Sequence, residues 1–227
     1  MDSPKVCVTI VARNLEEATQ DVRRAEELGA DLLELRMDFV GDLEGLAKIR
    51  AATELSLIAA NRPKDQGGHY SGEEGSRIGS LLEACDVGFD YVDLELTTRA
   101  LSGVVDEVRR RGVGLILSYH DLLKTPPIEG LEDILRRELA FKPDICKIVG
   151  TVRTPADNLT YLNLLQHRPK ARLVCFGMGD LGRISRVLAP LFGGEFTFAS
   201  IRKGGESAPG QMTIRELREI YGLLGYK

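Results

Sequence analysis

Short apolar runs rich in β-branched residues alternate, eight times over, with longer runs whose apolar positions recur every three or four residues. The first kind of run marks strands and the second marks amphipathic helices. Strands are therefore expected near residues 5–12, 31–38, 55–60, 90–96, 113–119, 144–150, 171–176 and 194–200. Helical patterns follow near 15–28, 42–52, 73–87, 98–111, 129–140, 155–167, 181–190 and 213–224. Local signals support several of these. Asn14 precedes Leu15-Glu16-Glu17 as an N-cap, Thr154-Pro155 sets proline at a first helical position, and Thr213 opens the run through Arg215-Glu216-Leu217. Gly29, Gly112 and Gly222 fall at or near helix ends, where glycine accepts positive φ easily.

Strict alternation of strand and helix predicts a parallel sheet with right-handed crossovers. Eight such units in 227 residues, with no Pro/Gly/Ser linker between halves, predict a single-domain (β/α)8 TIM barrel over residues 1–227. The competing architecture is an open doubly wound sheet. It would place GxGxxG after the first strand, where this chain has Ala12-Arg13-Asn14.

A hydrophobic fraction of 43% and a net charge of −4 fit an ordinary globular core and give no reason to expect a nucleic-acid partner. No apolar run approaches the ~20 residues that span a bilayer, so no membrane role is expected. Met1-Asp2-Ser3-Pro4 lacks the basic and apolar regions of a signal peptide, so a cytoplasmic location is expected. Cys7, Cys85, Cys146 and Cys175 never form CxxC and read as small buried hydrophobes. The three histidines are far apart, so no metal site is expected.

The strands carry charges where a barrel interior should be. In the second strand Leu33, Leu35 and Met37 share the face expected to meet the helices. Period-two alternation sends Glu34, Arg36 and Asp38 the other way, with Glu34 and Arg36 near enough to pair or to share a ligand. In the fourth strand Val92 and Leu94 oppose Asp93 and Glu95, and in the fifth Ile116, Ser118 and His120 share one face. His120 ends its strand at the C-terminal side, where barrels keep their active sites. Lys147 is flanked by apolar residues in Asp144-Ile145-Cys146-Lys147-Ile148-Val149-Gly150. It reads either as the partner of inward acids such as Glu95 or Glu34, or as a desolvated amine of the kind that attacks ketones to form imines.

Two glycine-rich loops border the same end, either of them a possible lid. They are Asn61-Arg62-Pro63-Lys64-Asp65-Gln66-Gly67-Gly68 and Arg202-Lys203-Gly204-Gly205-Glu206-Ser207-Ala208-Pro209-Gly210-Gln211. Proline stiffens the middle of the second loop between flexible glycine ends, which favours closure through Ser207 and Gln211. Arg186 falls in the first turns after the seventh strand and suits a carboxylate or a phosphate.

Together these residues resemble the type I 3-dehydroquinate dehydratases of the shikimate pathway. The resemblance rests on Glu34-Leu35-Arg36-Met37-Asp38, Arg62 with Gly67-Gly68, Ser118-Tyr119-His120-Asp121, Lys147-Ile148, Ser185-Arg186 and Ser207-Ala208-Pro209-Gly210-Gln211, in order over nearly the whole chain. It implies loss of water from 3-dehydroquinate to give 3-dehydroshikimate, with no metal or organic cofactor, in a homodimer. It implies an imine on Lys147 and proton transfers by His120. Glu34, Arg36, Arg62, Arg186, Ser207 and Gln211 would hold the substrate, with Arg186 on its carboxylate, and Thr9 would stand where the family has a small hydroxyl residue. One departure is Gln66, where the family often has glutamate before the glycine pair; an acid–base role there is put in doubt. A class I aldolase would also use a barrel-strand lysine, but it would usually carry a phosphate site in its last two loops.

Overall fold

The computed structural model describes residues 3–167 and 170–226. Met1 and Asp2 of the N-terminal tetrapeptide lie outside the described residues. Eight parallel strands run in sequence order: β1 (Val6–Ile10), β2 (Leu32–Arg36), β3 (Ser56–Ala60), β4 (Tyr91–Glu95), β5 (Gly114–Asp121), β6 (Ile145–Thr151), β7 (Leu173–Met178) and β8 (Thr197–Ser200). Each of β1 to β6 hydrogen-bonds to the next, and β1 also pairs with β8. A short β9 (Met212–Thr213) extends the sheet beyond β8. The sheet curls into the expected TIM barrel.

Its closure is not a ladder. Between β7 and β8 the Glu195 N–H donates to the Leu173 carbonyl at 2.9 Å, and above that bond the rings of Phe176 and Phe198 meet edge-on with centroids 6.2 Å apart. Side-chain packing closes this seam.

The helices α1 (Leu15–Glu27), α2 (Ala47–Arg50), α3 (Glu74–Asp86), α4 (Leu101–Arg110), α5 (Ile128–Leu139), α6 (Asp157–His167), α7 (Arg183–Leu188) and α8 (Ile214–Leu223) follow their strands in turn. In α1, Leu15, Ala18, Val22 and Ala25 form the buried stripe that the helical period requires. The same core takes in outward-facing strand residues, including Leu33, Leu35, Leu94 and Leu117. Each such side chain, fully buried, contributes about 1.5–3 kcal/mol. Among the described residues no helix is long and apolar enough to cross a membrane.

Some boundaries differ from the sequence pattern. The run at 42–52 contains only one turn of α-helix, because Gly45 takes a φ of 98° just before it. The helix expected from 98 starts at Leu101, after Ala100 at a φ of 51°. Gly222 lies inside α8, and it is Gly225, with a φ of 88°, that turns the chain after this helix.

Both caps read from the sequence form. The Asn14 side chain accepts from the Glu17 N–H at 2.9 Å. Thr213 and Glu216 make a reciprocal capping box, the Glu216 carboxylate accepting from the Thr213 N–H at 2.9 Å. Thr213→Ala should therefore cost about 1 kcal/mol. In a chain of this size that lowers the melting temperature by roughly 2–4 °C. Calorimetry on both proteins checks this, and an unchanged melting temperature would mean that the cap is not coupled to global unfolding.

Candidate active site

At the C-terminal ends of the strands a cavity of about 390 Å³ opens, lined among others by Glu34, Arg36, Arg62, Gln66, His120, Lys147, Arg186, Ser207 and Gln211. Eight of the nine residues singled out from the sequence are in that wall. The ninth, Thr9, stands behind it: its hydroxyl accepts from the Gln211 amide at 3.1 Å. Both glycine-rich loops contribute, Gln66-Gly67 from one side and Ser207-Ala208-Pro209 with Gln211 from the other.

Local geometry explains the glycines. After β3 the chain turns back so tightly that a Cβ at Gly68 would overlap the Arg62 carbonyl oxygen. Gly210, at a φ of 77°, packs equally tightly against the Gly179 carbonyl after β7, and the Gly179 N–H donates to the Pro209 carbonyl at 3.0 Å. The second loop is thereby fastened beside Arg186.

The floor is a network of buried charges. The Lys147 ammonium donates to Asp93 at 2.8 Å and to Glu34 at 3.2 Å, and sits 4.2 Å from the centre of the Phe198 ring. Of the two acids anticipated as partners, Glu34 is used, whereas Glu95 is occupied by arginines. Arg62 donates to Asp93 at 2.6 Å, to Glu95 at 2.8 Å and to the Ser118 hydroxyl at 3.0 Å. Arg36 pairs with Asp38, through bonds of 2.8 and 2.6 Å, rather than with Glu34.

These contacts set the titration of the site. Burial by itself would raise the Asp93 carboxyl, but Arg62 and then Lys147 outweigh it and hold the group well below the usual carboxylate range. The same contest goes the other way at Glu95, where burial outweighs Arg62 and Arg77 and the carboxyl is raised. His120 is pushed well below 6.5 by burial and by the neighbouring cations Arg62 and Lys147, against the pull of Asp93. Its Nδ1 lies 3.5 Å from an Arg62 nitrogen, and its backbone N–H donates to the Gln66 side-chain oxygen at 3.2 Å. Gln66 thus tethers the strand end that carries the imidazole.

Arg186 differs from the other buried cations. It is 2% exposed, and among the described residues no carboxylate pairs with it. Its Nε has no partner, and its guanidinium lies 4.3 Å from the centre of the Phe176 ring. Burial, with Arg183 nearby, pulls it down to about 10, so it remains a cation at neutral pH. A buried unpaired cation is costly, and facing a cavity it suits an incoming carboxylate.

Five contributors escaped the sequence reading as site residues. The alternation of strand four turned Asp93 and Glu95 inward, but nothing local showed that Arg62, 31 and 33 residues away, would reach them. Nothing in the local pattern marks Arg77 on α3, yet it is 1% exposed and bonded to Glu95 at 2.6 Å. Phe176 and Phe198 read as plain core and prove to be the surfaces beneath Arg186 and Lys147.

A sequence model of type I 3-dehydroquinase matches residues 6–227. A 3-dehydroquinate dehydratase of Thermococcus gammatolerans is 39% identical, covering 95% of this chain and 96% of the relative. The 3-dehydroquinate dehydratase of Geobacillus kaustophilus has a similar structure, with a TM-score of 0.90 at 27% identity over 98% of this chain and 91% of that one. So has the type I 3-dehydroquinate dehydratase of Clostridium difficile solved with covalently modified comenic acid, with a TM-score of 0.87 at 25% identity over 99% and 93%.

The electrostatics generate a prediction that needs no substrate. The imidazole of His120 should stay neutral as the pH falls past 6.5 and take its proton only below that, because burial and two cations disfavour the charged form. Its ring-proton shifts, followed by NMR against a His120→Gln control, report this midpoint. A midpoint at or above 6.5 would show that Arg62 does not govern the imidazole.

Proposed function

This chain belongs to the type I 3-dehydroquinase family, dehydratases of the shikimate pathway, and from that premise we propose that it removes water from 3-dehydroquinate through an imine on Lys147, with His120 moving the protons. The observation that supports this most is one cavity lined by a buried lysine amine, a neutral imidazole and an unpaired buried guanidinium.

In this reading the substrate carboxylate pairs with Arg186. Attack on a ketone needs the free amine, so Lys147 first gives up a proton to neutral His120, which passes it to the carbinolamine hydroxyl as water leaves. Asp93, held ionised by Arg62, is a poor proton acceptor and serves as a fixed counter-charge. The amine adds to the ketone and water leaves, giving an iminium whose positive charge stays beside Asp93 and Glu34. That charge is the electron sink for the next step. Neutral His120 takes the C2 proton, leaving an enamine, and then returns a proton to the departing C1 hydroxyl. Water hydrolyses the resulting unsaturated iminium, releasing the conjugated enone and regenerating Lys147. Glu34, Arg36, Arg62, Ser207 and Gln211 hold the polyol, and Thr9 braces Gln211 from behind. A homodimer in the cytoplasm completes the reading, on the family resemblance alone.

Borohydride added during turnover should reduce the iminium and leave the substrate skeleton on the peptide containing Lys147. Lys147→Ala should abolish both label and turnover. His120→Ala should still be labelled while losing at least the ~10²–10⁴-fold that general acid–base catalysis supplies. Label on Lys142 or Lys203 would overturn the assignment. Absorbance of the enone separates this reaction from an aldol cleavage, which would also be trapped.

Arg186→Ala should weaken binding by about 2–5 kcal/mol, the scale for truncating one partner of a buried charge pair. It should act mainly on the Michaelis constant. Arg186→Lys should recover only part, since a point charge cannot reproduce a bidentate fork. An unchanged Michaelis constant in Arg186→Ala would move the carboxylate elsewhere, with Arg62 the next candidate.

A further inference from the structure

We infer that Arg77, a helix residue outside the cavity, is a positioning residue for this reaction: through Glu95 and the Asn61 carbonyl it fixes Arg62 against Asp93 and His120. The inference rests on the dehydratase reading and extends it beyond the residues that touch the cavity.

The geometry accounts for every N–H of Arg77. Its Nε and one terminal nitrogen hold Glu74 at 2.7 and 2.8 Å. Its other terminal nitrogen donates to Glu95 at 2.6 Å and to the Asn61 carbonyl at 3.0 Å. The fifth N–H reaches the Thr98 hydroxyl at 3.3 Å. A guanidinium has five donors in a rigid fork, and all five are placed, on a side chain that is 1% exposed. Two of these contacts bear on Arg62. Asn61 is its chain neighbour, so the bond to that carbonyl fixes the backbone from which Arg62 projects. Glu95 divides its carboxylate between the two arginines, one oxygen to each.

Glu95 is therefore useful only when ionised. The charged groups facing it are Arg62 from the loop after β3, Arg77 from α3 and Asp93 from its own strand. Beyond these, Lys147 reaches Asp93 and Glu34, and Glu74 faces Arg77. Burial already raises the Glu95 carboxyl, and Arg77 is one of the two cations opposing that rise. Removing Arg77 lets Glu95 accept a proton at higher pH. Arg62 then loses a charged partner on the side away from Asp93, and its distance to His120 is no longer fixed.

The sign of the effect follows. Activity requires ionised Glu95, so its loss on acidification should occur at higher pH once Arg77 is gone. The test is the pH dependence of kcat and kcat/KM on 3-dehydroquinate for wild type, Arg77→Lys, Arg77→Met, Glu74→Gln, Glu95→Gln and the Arg77→Met/Glu95→Gln double variant, with the melting temperature of each. In Arg77→Met the acid limb should move toward neutral pH. Its kcat at the optimum should fall on the order of a hundred-fold, the cost of displacing a catalytic group by about 1 Å. Arg77→Lys keeps a charge but has three donors, and should restore the limb position without restoring kcat. Glu74→Gln keeps the Arg77 charge while weakening two of its hydrogen bonds, so it should lower kcat by less than Arg77→Met without moving the limb toward neutral pH, and it keeps the test open if Arg77→Met does not fold. Glu95→Gln removes the titrating group, so adding Arg77→Met to it should shift the limb no further. Arg77 variants that lower only the melting temperature, with the wild-type pH profile and kcat, would overturn the inference. Absence of wild-type turnover would instead overturn the dehydratase reading, so the two failures are distinguishable.

Discussion

The site depends on one constraint: charges inside a closed barrel must be paired. Lys147, Arg62 and Arg77 meet Glu34, Asp93 and Glu95 in a single chain of contacts between 2.6 and 3.2 Å long. Removing one member would leave another buried and uncompensated, which costs about 3–5 kcal/mol. The network is thus held together by the penalty for breaking it more than by the attraction of any one pair. The consequence for chemistry is positional. Lys147 has little freedom to leave the barrel floor, and the imidazole of His120 is kept neutral by its burial and by cations that cannot move away from it.

Against that background Arg186 is the exception. It is as buried as Arg62 but has an aromatic face where Arg62 has two carboxylates. An arginine stacked on a phenylalanine gains at most a few kcal/mol, which does not offset the burial of its charge. The cavity therefore carries an unmet demand for an anion at one point and a saturated charge network at another. An anionic ketone suits both, with its carboxylate at Arg186 and its carbonyl at Lys147. The two phenylalanines set the span, since Phe176 lies under Arg186, Phe198 lies beside Lys147, and the rings touch each other.

Much of this was legible in the sequence because a barrel strand has a simple code. Period-two alternation turned Glu34, Asp93, Glu95, Ser118 and His120 inward, a lone amine among apolar residues marked Lys147, and glycine placement marked the two loops that border the mouth. What stayed hidden depends on distance along the chain. The partner of Arg36 is Asp38, two residues on, rather than Glu34, because the chain turns at Met37 into a short 3-10 segment and the period of two is lost. The partners of Arg62 lie on the next strand, at a reach that no local pattern encodes. Arg77 is hidden for the opposite reason: its helix is polar enough that one more arginine attracts no notice, and only the closing of α3 over the end of β4 buries it. Gly45 and Ala100 shortened two helices through backbone conformations that hydrophobic periodicity does not record.

The seam between β7 and β8 follows from the same division between network and aromatic surface. All the other neighbouring strands are joined by ladders, and the paired charges project from β2, β4 and β6 and from the loop after β3. On the far side β7 and β8 supply no charge to the interior; they supply Phe176 and Phe198. On this side the cavity is walled by Arg186 after β7 and by the loop after β8, which is fastened back across the seam by the Gly179–Pro209 hydrogen bond. Substituting smaller residues for the phenylalanines would remove both the surface beneath two cations and the ring contact across the seam. The packing of the barrel and the geometry of its cavity therefore rest on the same two side chains.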